Sequence, residues 1–282
     1  MASESIQKNV IAGKLVNIEH RSGKTVKGAD YVGGNVMIEV GEDNIVPVSF
    51  FATQQKKDGT PNPLYASLQT VIKDYKSIAA NGREEADYVE VGVPRLVENS
   101  FYVRDGQLIR GFQFNSPFFN RKATVDAKGE FNIVGEIIKV ADDIVKDVPT
   151  GNLTVTLLVV TYGNTANLID FQVEGEKAVN YVKTNFSPGM EVKLTGDILV
   201  VETIEEKVTE AAFGKPITEE IRKTQRKLLV QSATPPVDSK ITDEERQTML
   251  SERESKLQNM KQDFMSKQKG NGKSSGAANF SL

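Results

Sequence analysis

The sequence predicts a mainly β protein built as two tandem five-stranded barrels, followed by a charged helix and a disordered tail. Three observations predict it. The octapeptide Ile11-Ala12-Gly13-Lys14-Leu15-Val16-Asn17-Ile18 returns about 120 residues later as Ile133-Val134-Gly135-Glu136-Ile137-Ile138-Lys139-Val140. Each copy is followed by the same order of elements: a hairpin, a helix, then further strands. After Thr234-Pro235-Pro236 the alternating pattern gives way to helical spacing. Self-similarity at this separation is too long for a solenoid and fits a duplicated domain.

In both octapeptides the apolar residues fall at the first, fifth, sixth and eighth positions. That spacing gives a strand with one strongly apolar face, and the glycine at the third position marks a bend or a close backbone approach. In the first copy, residues 20–28 form a loop with three cations. Asn35 to Val40 and Ile45 to Phe51 alternate as a hairpin, with Pro47 at an edge or bulge position. Leu64, Leu68, Val71, Ile72 and Tyr75 share one helical face, and Asn81-Gly82 ends that segment. Asp87 to Val93 is a strand, and a second hairpin runs from Phe101 through Arg104-Asp105-Gly106 to Phe114.

The second copy repeats this order. After an acidic loop from Ala141 to Gly151 come a hairpin from Leu153 to Val173 and a helix stopped by Ser187-Pro188-Gly189. Strands at Glu191 to Val201 and Leu228 to Val230 follow, with the basic stretch Arg222 to Lys227 between them read as opening in a short helix. In the tail, Thr242-x-x-Glu245 is a capping box, and Leu250, Leu257 and Phe264 form a seven-residue stripe interrupted by Arg253. One weak seam of about three heptads suits a helix packed on its own barrel, or one that docks a partner, better than a coiled coil.

Composition narrows the function. At 282 residues, 39% apolar and 26% charged, the chain supports two globular domains. No apolar run approaches the roughly 20 residues of a membrane-spanning helix. Met1-Ala2-Ser3-Glu4-Ser5 lacks the regions of a signal peptide. A cytoplasmic protein with no membrane partner is expected, in the host cytoplasm if it is viral. The absence of cysteine excludes disulfides, thiolate zinc sites and cysteine nucleophiles. The one histidine, His20, reads as an exposed loop residue. There is no Walker-type phosphate loop, and Asp142, Asp143 and Asp170 lack a spacing that specifies metal geometry. A non-enzymatic protein with no cofactor and no metal is expected. The net charge of −3 hides a gradient, +1 over residues 1–122, −5 over 123–236 and +1 over 237–282, so a polyanion would meet the first part.

Five strands with a helix between the third and fourth is the element order of the oligonucleotide/oligosaccharide-binding (OB) barrel. On that order, and on the strand-glycine-strand corner at Glu191 to Val201, the chain resembles bacteriophage-type and bacterial single-stranded DNA-binding proteins. The resemblance implies OB-type domains over 6–122 and 130–236, a charged helix over 237–269 and a disordered tail over 270–282. It also implies a phage-encoded protein that coats or protects replication and recombination intermediates. Bacterial members recruit replication partners through an acidic, apolar tail tip. This chain has the apolar Phe280 and Leu282 there without the acids, which makes them candidate contacts for a replication or recombination protein, together with the helix.

Single strands are held by a cationic groove along the phosphates and by rings on which bases stack. The first copy supplies Arg21, Lys24, Lys27 and Tyr31 near the first loop, Phe51, Lys56 and Lys57 after the hairpin, and then Tyr102, Arg104, Arg110, Phe118, Phe119, Arg121 and Lys122. These are the candidate DNA-binding residues. Phe112 and Phe114 point to one strand face and serve the core or the ligand. Phe50 and Phe51 are adjacent, so at most one faces the core. The second copy, poorer in rings and richer in acid, is left for self-association or for positioning the tail. A structural or assembly protein using the barrels for protein contacts is the competing reading.

Overall fold

The computed structural model describes residues 4–103, 106–145, 147–209, 213 and 217–270, with backbone alone over 201–209, 217–223 and 267–270. In the first copy, β1 (Val10–Lys24), β2 (Asp30–Gly41) and β3 (Asn44–Thr53) form an antiparallel meander. Helix α1 (Pro63–Asp74) starts where the Asn62 side chain accepts from the Leu64 N–H, has Pro63 in its first turn, and buries Leu68 and Val71. The short α2 (Ile78–Asn81) leads into β4 (Tyr88–Gly92), β5 (Arg95–Glu98), β6 (Phe101–Tyr102), β7 (Leu108–Ile109), β8 (Phe112–Asn115) and β9 (Phe118–Lys122). Strands β8 and β9 are two halves of one segment interrupted at Ser116-Pro117; β8 lies parallel to β3, while β9 pairs with β4 and β4 with β1. The circuit β1, β2, β3, β8/β9, β4 therefore closes on itself.

The second copy repeats the circuit. Here β10 (Lys128–Val145), β11 (Val148–Thr161) and β12 (Thr165–Val173) form the meander. Helix α3 (Glu176–Asn185) follows, and β13 (Met190–Thr209) and β14 (Ile217–Ala233) close the ring, β14 parallel to β12 and β13 paired with both β14 and β10. The likeness extends to irregularities. The β1–β2 ladder slips between Leu15 and Asn17, and the β10–β11 ladder slips between Ile137 and Lys139. Both bulges fall at the sixth position of the repeated octapeptide, where they re-aim the strand around its barrel.

The octapeptide glycine is a close-approach residue. A Cβ on Gly13 would lie 1.8 Å from the Glu39 carbonyl oxygen, whereas one on Gly135 would meet its nearest atom, the Leu158 carbonyl oxygen, at 3.0 Å. Gly13→Ala is expected to destabilise the fold by about 3 kcal/mol or more, and Gly135→Ala by only about 1 kcal/mol, as overpacking costs run. Urea denaturation of the two variants checks the ordering.

The two circuits are not beads on a linker. β1 pairs with β10 at Val10↔Glu130, and β3 meets β13 at Asn44↔Val201, so every strand except β6, β7 and the short terminal β15 shares an unbroken path with its neighbours in one sheet that β15 (Val237–Asp238) then extends. The buried side chains are likewise contiguous, from Ile11, Ile38 and Phe114 to Phe131, Ile137 and Phe171. Three local expectations are corrected. The cationic segment at 20–28 is strand as far as Lys24. The acidic loop at 141–151 is mostly strand, with β10 and β11 running out to a tight turn at Asp147, whose φ is +64°. The basic stretch at 222–227 is part of β14, not the start of a helix. Its alternating Thr224, Arg226 and Leu228 suit a pleat, which a cross-strand partner completes.

Helix α4 (Asp243–Gly270) begins after β15, later than residue 237, with Thr242 and Glu245 forming the reciprocal capping box. It packs on the second copy, where Met249 and Leu250 meet Leu158, Val160, Ala166 and Leu168 on the outer face of β11–β12. Arg246 pairs with the buried Glu136, and Arg253 forks onto Glu98 of β5, which explains the break in the apolar stripe. Residues 271–282, the bulk of the expected disordered tail, lie outside the described residues. No helix among the described residues is long and apolar enough to cross a membrane.

Candidate nucleic-acid interface

The outer face of β2–β3 carries the cross-strand pairs Tyr31↔Thr53, Gly33↔Phe51, Asn35↔Ser49 and Met37↔Pro47. Strand alternation sends Phe50 into the core at 5% exposure and leaves Phe51 outside at 59%. The rings of Tyr31 and Phe51 stack on each other, with centroids 5.4 Å apart and planes 30° apart. They lie over glycine backbone: a Cβ on Gly33 would come 3.1 Å from the Phe51 ring, and one on Gly23 would come 3.2 Å from Tyr31. Small cross-strand partners thus let two flat rings settle on the sheet with their outer surfaces free.

Cations stand at the same end of the sheet as this pair. The Gln54 N–H donates to the Asp30 carbonyl at 2.8 Å, which draws the loop after β3 against the β1–β2 turn. That contact brings Lys56 and Lys57 to the same end of the sheet as Arg21 and Lys27. All four are exposed, and none has a carboxylate partner among the described residues. Lys24 is paired with Asp30 at 2.9 Å, but both side chains are well exposed, and such a pair is worth only about 0–1 kcal/mol, so a phosphate can displace the acid.

At the other end of the same face, a cleft of about 720 Å³ opens between Met37, Ile45 and Pro47 of the sheet, the β6–β8 segment with Phe101, Arg110 and Phe112, and the β13–β14 ribbon with Val200, Thr224 and Arg226. Pro47 sits where β3 has a free edge, between its pairings at Asn44 and Val48. Arg226 was not among the sequence candidates. Its signal was there, since reading residues 224–228 with a period of two places Thr224 and Arg226 on one face. It is half-buried without a carboxylate partner among the described residues, and burial lowers the pKa of its guanidinium from the ordinary arginine value.

Other candidates are placed differently. Phe119 is 6% exposed, edge-on to Phe50 at 6.1 Å, and part of the core. Strand β9 starts at Phe118, directly after Pro117, and its alternation points Phe118 out, at 46% exposure, and Phe119 in. Arg121 pairs with Asp87 at 3.1 Å and covers the Tyr75 ring at 4.4 Å, so it braces α1. Lys122 pairs with Glu90 at 3.1 Å, and Arg110 with Asp170 of the second copy at 3.2 Å. Tyr102, on the β6–β7 hairpin, lies 6.0 Å from Lys261 of α4. Arg104, Phe280 and Leu282 lie outside the described residues. In the second copy the equivalent outer face is occupied: α4 covers its apolar end, and Thr156 and Asp170 stand at the register of Met37 and Pro47.

Five strands closing in this order, twice, with a helix between the third and fourth, define an OB-type β protein. The chain belongs to the YorF family, whose model matches residues 7–263. A search of curated proteins found no match. Among solved structures, the chain is similar to the wild-type single-stranded DNA-binding protein of Thermus aquaticus, at 11% identity and a TM-score of 0.48, over 85% of this chain and 97% of that one. A deletion mutant of the same protein gives 11% identity, 84% and 97% coverage and a TM-score of 0.48. A replication protein A heterotrimer bound to single-stranded DNA gives 8% identity, 80% and 49% coverage and a TM-score of 0.21.

Proposed function

We propose that this chain binds single-stranded DNA without sequence preference and without catalysing a reaction on it. One observation carries the reading: the stacked Tyr31–Phe51 pair lies open on the outer face of β2–β3, with Arg21, Lys27, Lys56 and Lys57 at the same end of the sheet and none of them paired with a carboxylate among the described residues. Flat rings accept any base because every base has a π-face, and mobile cations follow the phosphates. Phe118, on β9, is a further ring open to solvent. Protection of replication or recombination intermediates, in a phage-infected or bacterial cytoplasm, is the role this chemistry suits.

The test is a titration with fluorescein-labelled oligo-dT followed by anisotropy. Four cations each displacing one condensed counterion give a slope of log K against log salt of about −3, from roughly −0.7 per single-strand phosphate. Absence of binding at low salt refutes the proposal. Oligomerisation that ignores both salt and oligonucleotide would point instead to the assembly role.

A further inference from the structure

We infer that Arg226, carried by the second half of the chain, is a phosphate-binding residue of the first half's groove, so that a single strand lying on β2–β3 is gripped by both halves at once. The inference rests on the single-strand reading above and deepens it.

The argument begins with how Arg226 is held. Asn44, at the tip of the β2–β3 hairpin, accepts from the Val200 N–H at 2.9 Å and donates to the Ile198 carbonyl at 2.8 Å. Val200 is the cross-strand partner of Arg226. One side chain of the first half therefore clasps the second half's ribbon directly opposite Arg226 and fixes that residue in the cleft wall. Among arginines with described side chains, Arg83, Arg95, Arg110, Arg121, Arg246 and Arg253 all have carboxylate partners. Arg21 and Arg226 do not, and Arg21 is exposed to water whereas Arg226 is half-buried. Glu19 and Asp43 also line the cleft, yet neither forms an ion pair with Arg226, and among the described side chains its guanidinium has no carboxylate partner.

A half-buried guanidinium without a counterion is costly, and an anion entering the cleft recovers that cost through charge-assisted hydrogen bonds. The anion that fits is a backbone phosphate. The cleft opens onto the same sheet face as the Tyr31–Phe51 stack, and β3 from Ile45 to Phe51 spans roughly 20 Å between them at about 3.3 Å per residue. A strand whose bases stack at one end thus passes its phosphates by Arg226 at the other.

The test compares the unaltered chain with Arg226→Gln, Arg226→Lys and Asn44→Ala in oligo-dT titrations at several salt concentrations, with thermal melts to verify folding. Arg226→Gln is expected to weaken binding about tenfold and to lower the magnitude of the salt slope by about 0.7, one phosphate's worth. Arg226→Lys restores most of the slope. Asn44→Ala frees the ribbon and reproduces the loss with Arg226 present, and the Asn44→Ala/Arg226→Gln pair binds no worse than Arg226→Gln alone, because both act through one contact. If the unaltered chain binds while Arg226→Gln keeps its affinity and slope, this inference is overturned and the single-strand reading stands. If the unaltered chain does not bind at low salt, both fall.

Discussion

Replacing Phe51 by alanine is expected to weaken oligo-dT binding about tenfold, and replacing Tyr31 and Phe51 together about a hundredfold, without loss of the fold. Base–aromatic stacking is worth about 1–3 kcal/mol per base, and about 1.4 kcal/mol is a factor of ten. The two rings touch each other at 5.4 Å, so their effects should not add simply: removing one leaves the other without its neighbour and free to move. Phe51 is largely exposed, so little core packing goes with it. Phe119 supplies the contrast. Phe119→Ala is expected to cost about 3–5 kcal/mol of stability, as buried phenylalanine truncations do, with affinity preserved in the fraction that folds. Phe118→Ala should lower affinity and leave stability nearly unchanged. Anisotropy titrations and urea denaturation on the same variants separate the two kinds of effect, and a Tyr31/Phe51 double variant that binds like the unaltered chain removes the stacking mechanism.

The second large effect concerns the anchoring of α4. Arg246→Ala is expected to destabilise the protein by about 3–5 kcal/mol, because it strands the Glu136 carboxylate, 1% exposed, with the Ser239 hydroxyl as its remaining described side-chain donor. Replacing both partners with apolar residues of similar volume, Arg246→Met with Glu136→Leu, should restore much of that loss, since a buried pair removed whole leaves no unpaired charge. If urea denaturation finds the single variant as stable as the unaltered chain, the clamp has no energetic role.

The companion pair adds a pH signature. Burial pushes the Glu98 carboxyl pKa up, but the Arg253 guanidinium, the Ser100 hydroxyl and the Leu168 N–H outweigh it and hold the pKa below its ordinary value. A carboxylate depressed in the folded state contributes stability that is complete above its unfolded pKa of about 4.3 and is lost as pH falls through the lower folded value. Docking of α4 should therefore weaken only in that acid range, and Glu98→Gln should flatten this part of the profile. Release of α4 uncovers Leu158, Val160 and Leu168, so binding of a hydrophobic dye during acid titration reports it.

Much of this architecture was legible from residue order. The octapeptide identified both opening strands, and period-two alternation allowed at most one of Phe50 and Phe51 to face the core, which is Phe50. The capping box at Thr242 and Glu245 was readable because its hydrogen bonds close within four residues. What failed failed for a common reason. Phe118 and Phe119 follow a proline in a polar stretch, which reads as loop, but pairing with β4 turns the stretch into a strand and buries one ring. The basic run at 222–227 has helical composition, and its pairing with β13 across the ribbon overrides that propensity. Arg110, Arg121 and Lys122 looked free because their acids, Asp170, Asp87 and Glu90, lie 60, 34 and 32 residues away in sequence.

By itself, then, the sequence determined the mainly β class, the duplication with its element order, and the wealth of rings and cations in the first copy, all properties written in local periodicity and composition. Only the tertiary structure decided which cations are free and which are neutralised. It also fused the two circuits into one sheet, laid α4 over the second copy's outer face and brought Arg226 to the first copy's cleft. Each of these depends on side chains far apart in the chain meeting across a closed sheet, and no short stretch of sequence carries that information.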